Sequence, residues 1–578
     1  MENIKEDMTQ RILITSALPY INGIKHLGNL VGSMLPADVY ARFCRQRGHE
    51  TLFICGTDEH GTPAELAALA QKKPVAEYCQ EMHALQKELY DKFSLSFDWF
   101  GRSSSPTNHA MTQYFAHRLF QTGLIKGETT KQVYSPHDHR FLPDRYIEGT
   151  CPHCGYEKAR GDQCDLCTRL LDTTELLSPR SAVSGATNLE VRETQHLFFL
   201  QSEMQQSLRK WIAERADHWP HLTKSIAEKW LNDDGGLRDR GITRDLDWGI
   251  PVAWQDEYWP GMDKKVFYVW FDAPIAYISA TQEWVETQED KNWERWWRCD
   301  KGASDVYYVQ FMAKDNVPFH TLSFPATLMG TGEDWKLADN IMGYSWLTYR
   351  GGKFSTSQKR GVFMDKALEC CSVDYWRWWL MSHIPETRDT DFDWLRFQND
   401  VNKDLADNIG NFVNRVIRFC DSKFEGRVPE NDNWEAREND VIEAMEQVFQ
   451  KLTQHMNNIA LRKATSELRH LWSLGNEYFQ ESAPWAALKT DFEKAASSIR
   501  LSLGFMRLYA ITLAPFLPET AEKMVGLLNL PPDTLDQWPT DVASTVKMLN
   551  SGHKLSVPRI LFQKITDEQR QEFEEKFG

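Results

Sequence analysis

The sequence predicts an α/β chain: a doubly wound parallel sheet, split by a cysteine-bearing insertion and followed by an all-helical domain. Three observations carry that expectation. Apolar runs of strand length alternate with helical patterns from Arg11 to about Gln121, and strand-length runs return at 266–270 and 306–310. Between these stretches lies a mixed segment with four paired cysteines, and from about Phe397 onward apolar residues recur at helical spacing.

The first run, 12–15, leads through Ala17-Leu18-Pro19-Tyr20 into Ile-Asn-Gly-Ile-Lys-His26-Leu-Gly28-Asn29. Leu30, Val31, Met34, Leu35 and Val39 then mark one helix face, so the order is strand, loop, amphipathic helix. A helix start offers free N–H groups and the positive end of a dipole, which suits a triphosphate. Gly28 lets a nucleotide lie against backbone, and His26 and Asn29 carry donors for phosphate oxygens. Taken alone, His-x-Gly-Asn is weak and reads better as a plain helix-start turn. A second strand at 51–55 runs into the loop Gly56-Thr-Asp-Glu-His60-Gly-Thr-Pro63, which completes the first half of a Rossmann-type sheet over residues 1–121.

Near Gly123 the pattern changes, and residues 122–245 read as the insertion. The sheet resumes over 246–335, with a Trp-rich helix around 293–297 between its two apolar runs. Residues 336–396 link this half to the helical domain, 397–578, where Leu405, Ile409, Phe412, Val413, Val416 and Phe419 share one face. Similar spacing recurs at 461–474 and 499–513, with Pro515, Pro518, Pro531 and Pro532 as breakers.

Of eleven cysteines, Cys151, Cys154, Cys164 and Cys167 form Cys-x2-Cys-x9-Cys-x2-Cys. That is metal-ligand spacing, and four thiolates close a tetrahedral Zn²⁺ shell with no position left for water, so one structural zinc per chain is expected. The 578 residues, 42% hydrophobic and 26% charged, fit a soluble globular protein of several domains. No stretch approaches the ~18 unbroken apolar residues of a membrane span, and the start, Met1-Glu-Asn-Ile-Lys-Glu-Asp, lacks a signal-peptide core. A cytoplasmic protein without membrane contact is the expectation. The net charge of −16 argues against indiscriminate binding to nucleic acid, so an RNA partner requires locally basic surface.

A second segment, Gly352-Lys353-Phe-Ser355-Thr356-Ser357, lies more than three hundred residues beyond the first. Together the two resemble the paired HIGH and KMSKS signatures of class I aminoacyl-tRNA synthetases. Ala17-Leu18-Pro19-Tyr20, Trp270-Phe-Asp-Ala273-Pro274-Ile-Ala-Tyr277 and Lys314-Asp315-Asn-Val-Pro-Phe-His320 narrow the resemblance to the methionyl-tRNA synthetase family, over nearly the whole chain. It implies a ligase that joins L-methionine to ATP, releases pyrophosphate, and esterifies the terminal adenosine of initiator and elongator methionine tRNAs. The carboxylate is already ionised, so catalysis is positioning and charge stabilisation, without a protein nucleophile.

By the same resemblance His26, Asn29, Lys353, Ser355, Thr356 and Ser357 act on the triphosphate, and Gly28 and Asp315 join them in holding ATP with its Mg²⁺. Leu18, Tyr20, Trp270, Ala273, Pro274, Tyr277 and His320 enclose the methionine side chain, and Asp58 receives its ammonium. Residues 336–396 become the KMSKS loop and a stem-contact region, and 397–578 an anticodon-binding domain. Asn411 and Arg415, four residues apart on one helix face, and Trp485 after Pro484 match its anticodon readers. In this family an extra C-terminal domain often mediates dimerisation, and a monomer is expected here. Without the resemblance, Asp58 is a turn former, Trp270 and Tyr277 are core aromatics, and Asn411 and Arg415 a solvated face.

Two positions depart from the family pattern. Thr356 stands where the second signature usually has lysine, and Ala313 where a glycine precedes Lys314. Lys359 and Arg360, directly after the loop, are candidate replacements for the lost cation. Two alternatives stand beside this reading: a class I synthetase for an aliphatic amino acid or cysteine, against which the larger aliphatic enzymes carry a long editing insertion that this chain has no length for, and a catalytically weakened tRNA-binding paralogue, which Thr356 supports.

Overall fold

Five parallel strands form the centre of the computed structural model, which describes residues 9–577 apart from 162–163, 165, 168, 170, 233–235, 256, 357–358, 431–433 and 558–559. In chain order they are β1 (Arg11–Ser16), β2 (Glu50–Thr57), β3 (Trp99–Arg102), β4 (Tyr307–Ala313) and β5 (Asn340–Tyr344). Across the sheet they run β5-β4-β1-β2-β3. Ile14 lies in register with Phe53 on β2 and Val309 on β4, and all three are fully buried. Helices cover both faces of such a sheet, which is why its strands read as continuous apolar runs. Chain order reverses between β1 and β4, so the crevice beyond their C-terminal ends is the ligand position of this topology. Those ends lead directly into Ala17–Tyr20 and Lys314–Asp315, and the end of β2 into Asp58.

The structure corrects the sequence reading in two places. The run at 266–270 is not a central strand: only Val266–Phe267 is extended, paired antiparallel with Thr243–Arg244, and Val269–Asp272 turns into a short helix. A short, continuously apolar run looks the same whether it is buried as strand or as helix. The second half of the sheet also extends past residue 335, because β5 pairs with β4 from Asn340 to Tyr344. Its five residues are all buried but give little β signal of their own.

The insertion rises from the sheet as a long antiparallel pair, Ile125–Ser135 with Glu190–Phe199. The cysteine knuckles sit near a small three-stranded sheet made by Ile147–Thr150, Ala159–Arg160 and Leu177–Ser181. After β5, a hairpin of Leu347–Tyr349 and Gly352–Lys353 presents the second signature. The remainder is helical, with long helices at Asn411–Lys423, Ala436–Asn457, Leu461–Ser482 and Phe492–Leu513. Among the described residues no helix is long and apolar enough to cross a membrane.

Catalytic and helical parts share one core. A single cluster of buried apolar residues runs from Ile12 on β1 to Trp472, Tyr509 and Phe573. Arg377, fully buried, ties three segments together: its guanidinium donates to Asp38 Oδ2 at 2.7 Å, to the Phe93 carbonyl at 3.0 Å and to the Phe516 carbonyl at 2.8 Å.

Candidate active site

The first signature loop is closed by its own side chains. His26 caps the helix start: its Nδ1 accepts from the Asn29 N–H at 3.2 Å, while Asn29 Oδ1 accepts from the His26 N–H at 3.3 Å. With Nδ1 an acceptor, the ring proton sits on Nε2, leaving a donor for phosphate. Burial, reinforced by the neighbouring Lys25 charge, lowers the His26 pKa to about 3, so the ring is neutral at physiological pH. From below, buried Gln86 donates to the carbonyls of Tyr20 (3.2 Å) and Gly23 (2.9 Å). A Cβ on Gly28 would press against the His26 ring at 3.0 Å.

The second segment folds onto this loop. The Leu27 N–H donates to the Val362 carbonyl at 3.0 Å and the Met364 N–H to the Lys25 carbonyl at 2.9 Å. The rings of His26 and Phe354 lie 5.0 Å apart, and the Thr356 methyl would be 3.3 Å from a Cβ placed on Gly23, whose φ is +140°. Two signatures distant in sequence therefore make one wall. Within the second, Ser355 pairs with Arg360 across a tight turn, and Ser357 lies outside the described residues. Arg360 turns inward, donating to the Tyr349 carbonyl at 2.9 Å and the Arg350 carbonyl at 3.3 Å. It holds the hairpin together. Lys359 is exposed at a left-handed position, φ 52°.

Lys353 meets the β4 loop through Trp346, which sequence reasoning missed. The ammonium groups of Lys353 and Lys314 lie 3.7 and 3.9 Å from the Trp346 ring centre, and its indole N–H donates to Asp315 Oδ1 at 3.2 Å. Lysine over an indole face is held by the ring's quadrupole. One tryptophan among the 22 in the chain carries no sequence signal that would single it out.

The residues expected to enclose the methionine side chain meet the first loop at Tyr20. The Trp270 indole N–H donates to the Tyr20 hydroxyl at 3.3 Å, and Trp270 packs on Phe319 at 4.6 Å. His320 Nδ1 bonds the Asn316 carbonyl and so carries the proton, leaving Nε2 to accept from the Tyr277 hydroxyl, each at 3.0 Å. Burial lowers the His320 pKa to about 4, which keeps a full charge away from the pocket. Ala273 and Pro274 form the turn that delivers Tyr277, and the Leu18 N–H faces the Tyr277 hydroxyl. Asp58, paired with Tyr20 through backbone, is buried with Oδ1 lacking any hydrogen-bond partner. Burial raises its pKa well above the usual range, and nearby Asp272 and Glu59 add to this. A buried carboxylate in that condition suits a cation.

Comparison with known proteins bears on this geometry. Residues 12–417 match the family model for class I tRNA synthetases (M), and 428–578 match the anticodon-binding domain of methionyl tRNA ligase. The chain belongs to the methionyl-tRNA synthetase family. It is 60% identical to the methionine–tRNA ligase of Ruegeria sp. (strain TM1040), over 98% of this chain and 99% of that one. It is 59% identical to that of Jannaschia sp. (strain CCS1), over 99% of each. In fold it matches a solved Mycobacterium tuberculosis methionyl-tRNA synthetase in complex with methionyl-adenylate, with a TM-score of 0.76 at 23% identity, covering 96% of this chain and 100% of that one.

Two further parts of this synthetase lie away from the crevice. The sulfur atoms of Cys151, Cys154, Cys164 and Cys167 all lie within 4.8 Å of one another, with Cys151–Cys167 at 3.8 Å and Cys154–Cys164 at 3.6 Å. Zn–S bonds of about 2.3 Å in a tetrahedron set sulfur separations near 3.8 Å, so the residues fit zinc. In the helical domain, Asn411 is exposed one turn from Arg415. Arg415 bonds Gln480 at 2.9 Å and lies 5.4 Å from the ring of Trp485, itself 39% exposed. The structure brings the three together as one patch at the end of the helix Leu461–Ser482.

Proposed function

We propose that this methionine–tRNA ligase runs activation through the wall made by its two signatures. The observation that carries the reading is the joining of His26 and Phe354 over the crevice that ends in Asp58. Asp58 takes the methionine ammonium, while Leu18, Tyr20, Trp270, Ala273, Pro274, Tyr277 and His320 enclose the thioether. A thioether offers bulk, polarizability and a weak acceptor, and neutral aromatic walls answer each. His26 Nε2–H, the Asn29 amide, backbone at Gly28, Lys353 and the hydroxyls of Ser355 and Thr356 act on the triphosphate and its Mg²⁺, with Ser357 a further hydroxyl donor by its place in the signature and Asp315 toward the ribose. The metal, when bound, supplies charge neutralisation at the phosphates. Zn²⁺ on the four cysteines is structural. Asn411, Arg415 and Trp485 read the anticodon of initiator and elongator methionine tRNAs by base-edge bonds and stacking. The working unit is a monomer acting in the cytoplasm.

Exchange of labelled pyrophosphate into ATP tests this reading. Methionine should support exchange, the other amino acids should support little, and methionine tRNA should then be charged. Exchange that ignores methionine would overturn it.

A further inference from the structure

One side chain of the first signature loop has no role in the scheme above. Lys25 is 4% exposed, and its ammonium donates to Asn22 Oδ1 at 2.9 Å. Lysine is seldom buried, because stripping water from an ammonium is costly unless an anion meets it. Its electrostatic neighbours are the Asp58 carboxylate and the His26 ring; burial lowers its pKa to about 7 and Asp58 opposes that, so the negative charge of an incoming phosphate is what fixes the proton on it. Its loop also touches the departure in the second signature, since Gly23 lies against the Thr356 methyl and the Lys25 carbonyl is bound by the Met364 N–H.

These placements locate the reacting atoms. If Asp58 takes the substrate ammonium and His26 the phosphates, the carboxylate and the α-phosphorus meet between them, within electrostatic reach of Lys25. In that step a carboxylate oxygen forms a bond to the α-phosphorus. The bond from phosphorus to the bridging β-oxygen breaks, its electron pair leaves on pyrophosphate, and no proton moves. We propose that Lys25 is a further catalytic residue of activation, its ammonium neutralising charge on the α-phosphate oxygens as that bond forms. The first loop thereby provides a cation where Thr356 provides none. The inference rests on the function proposed above and deepens it. Of the other candidate cations, Arg360 is bound to carbonyls of its own hairpin and Lys359 points from an exposed turn.

The test is a reciprocal exchange of positions. Lys25→Met keeps an unbranched side chain of similar length and removes the charge, Lys25→Gln guards against a packing artefact, and Thr356→Lys restores a cation from the other loop. Single-turnover formation of methionyl-adenylate, pyrophosphate exchange and calorimetric methionine binding are measured on the full chain. Lys25→Met and Lys25→Gln should each slow activation by about a hundredfold or more, with methionine affinity within about threefold. Lys25→Met with Thr356→Lys should recover at least about tenfold of that loss. Normal turnover in either single variant overturns the proposal, as does weakened methionine binding with turnover intact, which would make Lys25 only the counter-ion of Asp58. No recovery in the double variant overturns the exchange of roles. An unfolded single variant shifts the decision to the double variant and to Lys25→Arg, which should keep most activity and overturns the proposal if it is as slow as Lys25→Gln. A wild-type chain without methionine-dependent exchange would instead sink the underlying reading.

Discussion

At the scale of single residues, the site works by keeping its histidines neutral. His26 has a folded pKa of about 3 against an ordinary 6.5, depressed chiefly by burial. A depressed value means the unfolded chain binds the proton first, so the associated stability is complete above pH 6.5 and is lost as pH falls toward 3. Between pH 7.5 and 5.5 that single group should cost about 1.4 kcal/mol. Urea unfolding at the two pH values should therefore show a smaller loss for His26→Gln than for the parent chain. If the ring acts on phosphate as proposed, the same substitution should cut activation turnover while leaving methionine binding nearly unchanged. An equal pH loss in both chains would remove the burial argument. Trp485 offers a second check at this scale: Trp485→Ala should lower tRNA charging roughly ten- to a hundredfold through lost base stacking, with pyrophosphate exchange preserved. The family resemblance singled out His26 and Asp58, which on their own read as a helix-start turn and a turn former, but Trp346, Gln86 and Lys25 stayed hidden. Their roles come from where the backbone turns, and one lysine, glutamine or tryptophan among many has no periodicity to betray it.

At the scale of elements, the chain shows which local patterns can be read in advance. Cys-x2-Cys pairs announce a knuckle because two thiolates that close in sequence must be close in space, and the observed sulfur cluster follows directly. The strand at 12–15 was legible because a sheet covered on both faces demands an unbroken apolar run. The run at 266–270 satisfied the same rule and still became a two-residue antiparallel strand and a short helix, since burial alone does not fix backbone direction. The knuckle hangs on its own small sheet with its own small apolar cluster around Leu142, Ile147 and Leu176. Loss of metal should thus be felt locally. Cys164→Ser should abolish the single bound Zn²⁺ in elemental analysis and raise proteolytic cleavage within 145–185, while the main unfolding transition shifts little. Collapse of the main transition along with the metal would show that the insertion is instead part of the central core.

At the scale of the whole molecule, the question is how the proposed anticodon patch is held in fixed relation to the proposed nucleotide crevice. The joint is polar at its heart: Asp38, on the helix that begins in the first signature loop, meets Arg377 with both side chains fully buried. Asp38 also accepts from Ser96 and Arg42, and Arg377 reaches the Phe93, Pro515 and Phe516 carbonyls, so the pair is satisfied on every side. Gln46, at the far end of the same helix, donates to the Ile511 and Leu535 carbonyls at 3.1 and 2.8 Å. A buried ion pair contributes little net stability over an apolar pair of the same size, but removing one partner strands the other in a medium that cannot solvate it. Arg377→Met should therefore destabilise the chain toward the lower end of about 3–5 kcal/mol, because Asp38 loses one of its two cations and keeps only Arg42 and Ser96. Asp38→Asn in the same background should return part of that loss, because the stranded charge is then gone. The functional consequence differs from that of a site mutation. The crevice keeps its own hydrogen bonds at His26, Gln86 and Tyr277, so exchange of pyrophosphate should fall by no more than about the folded fraction lost. If the Asn411–Arg415–Trp485 patch reads the anticodon as proposed, charging of tRNA needs both ends of the molecule at once and should fall further, since a loosened joint spreads that patch over many orientations relative to the crevice. Denaturant unfolding gives the stability change, and the ratio of charging to exchange gives the coupling. A variant that is destabilised with that ratio unchanged would show that Arg377 holds the fold without setting the geometry between its two ends.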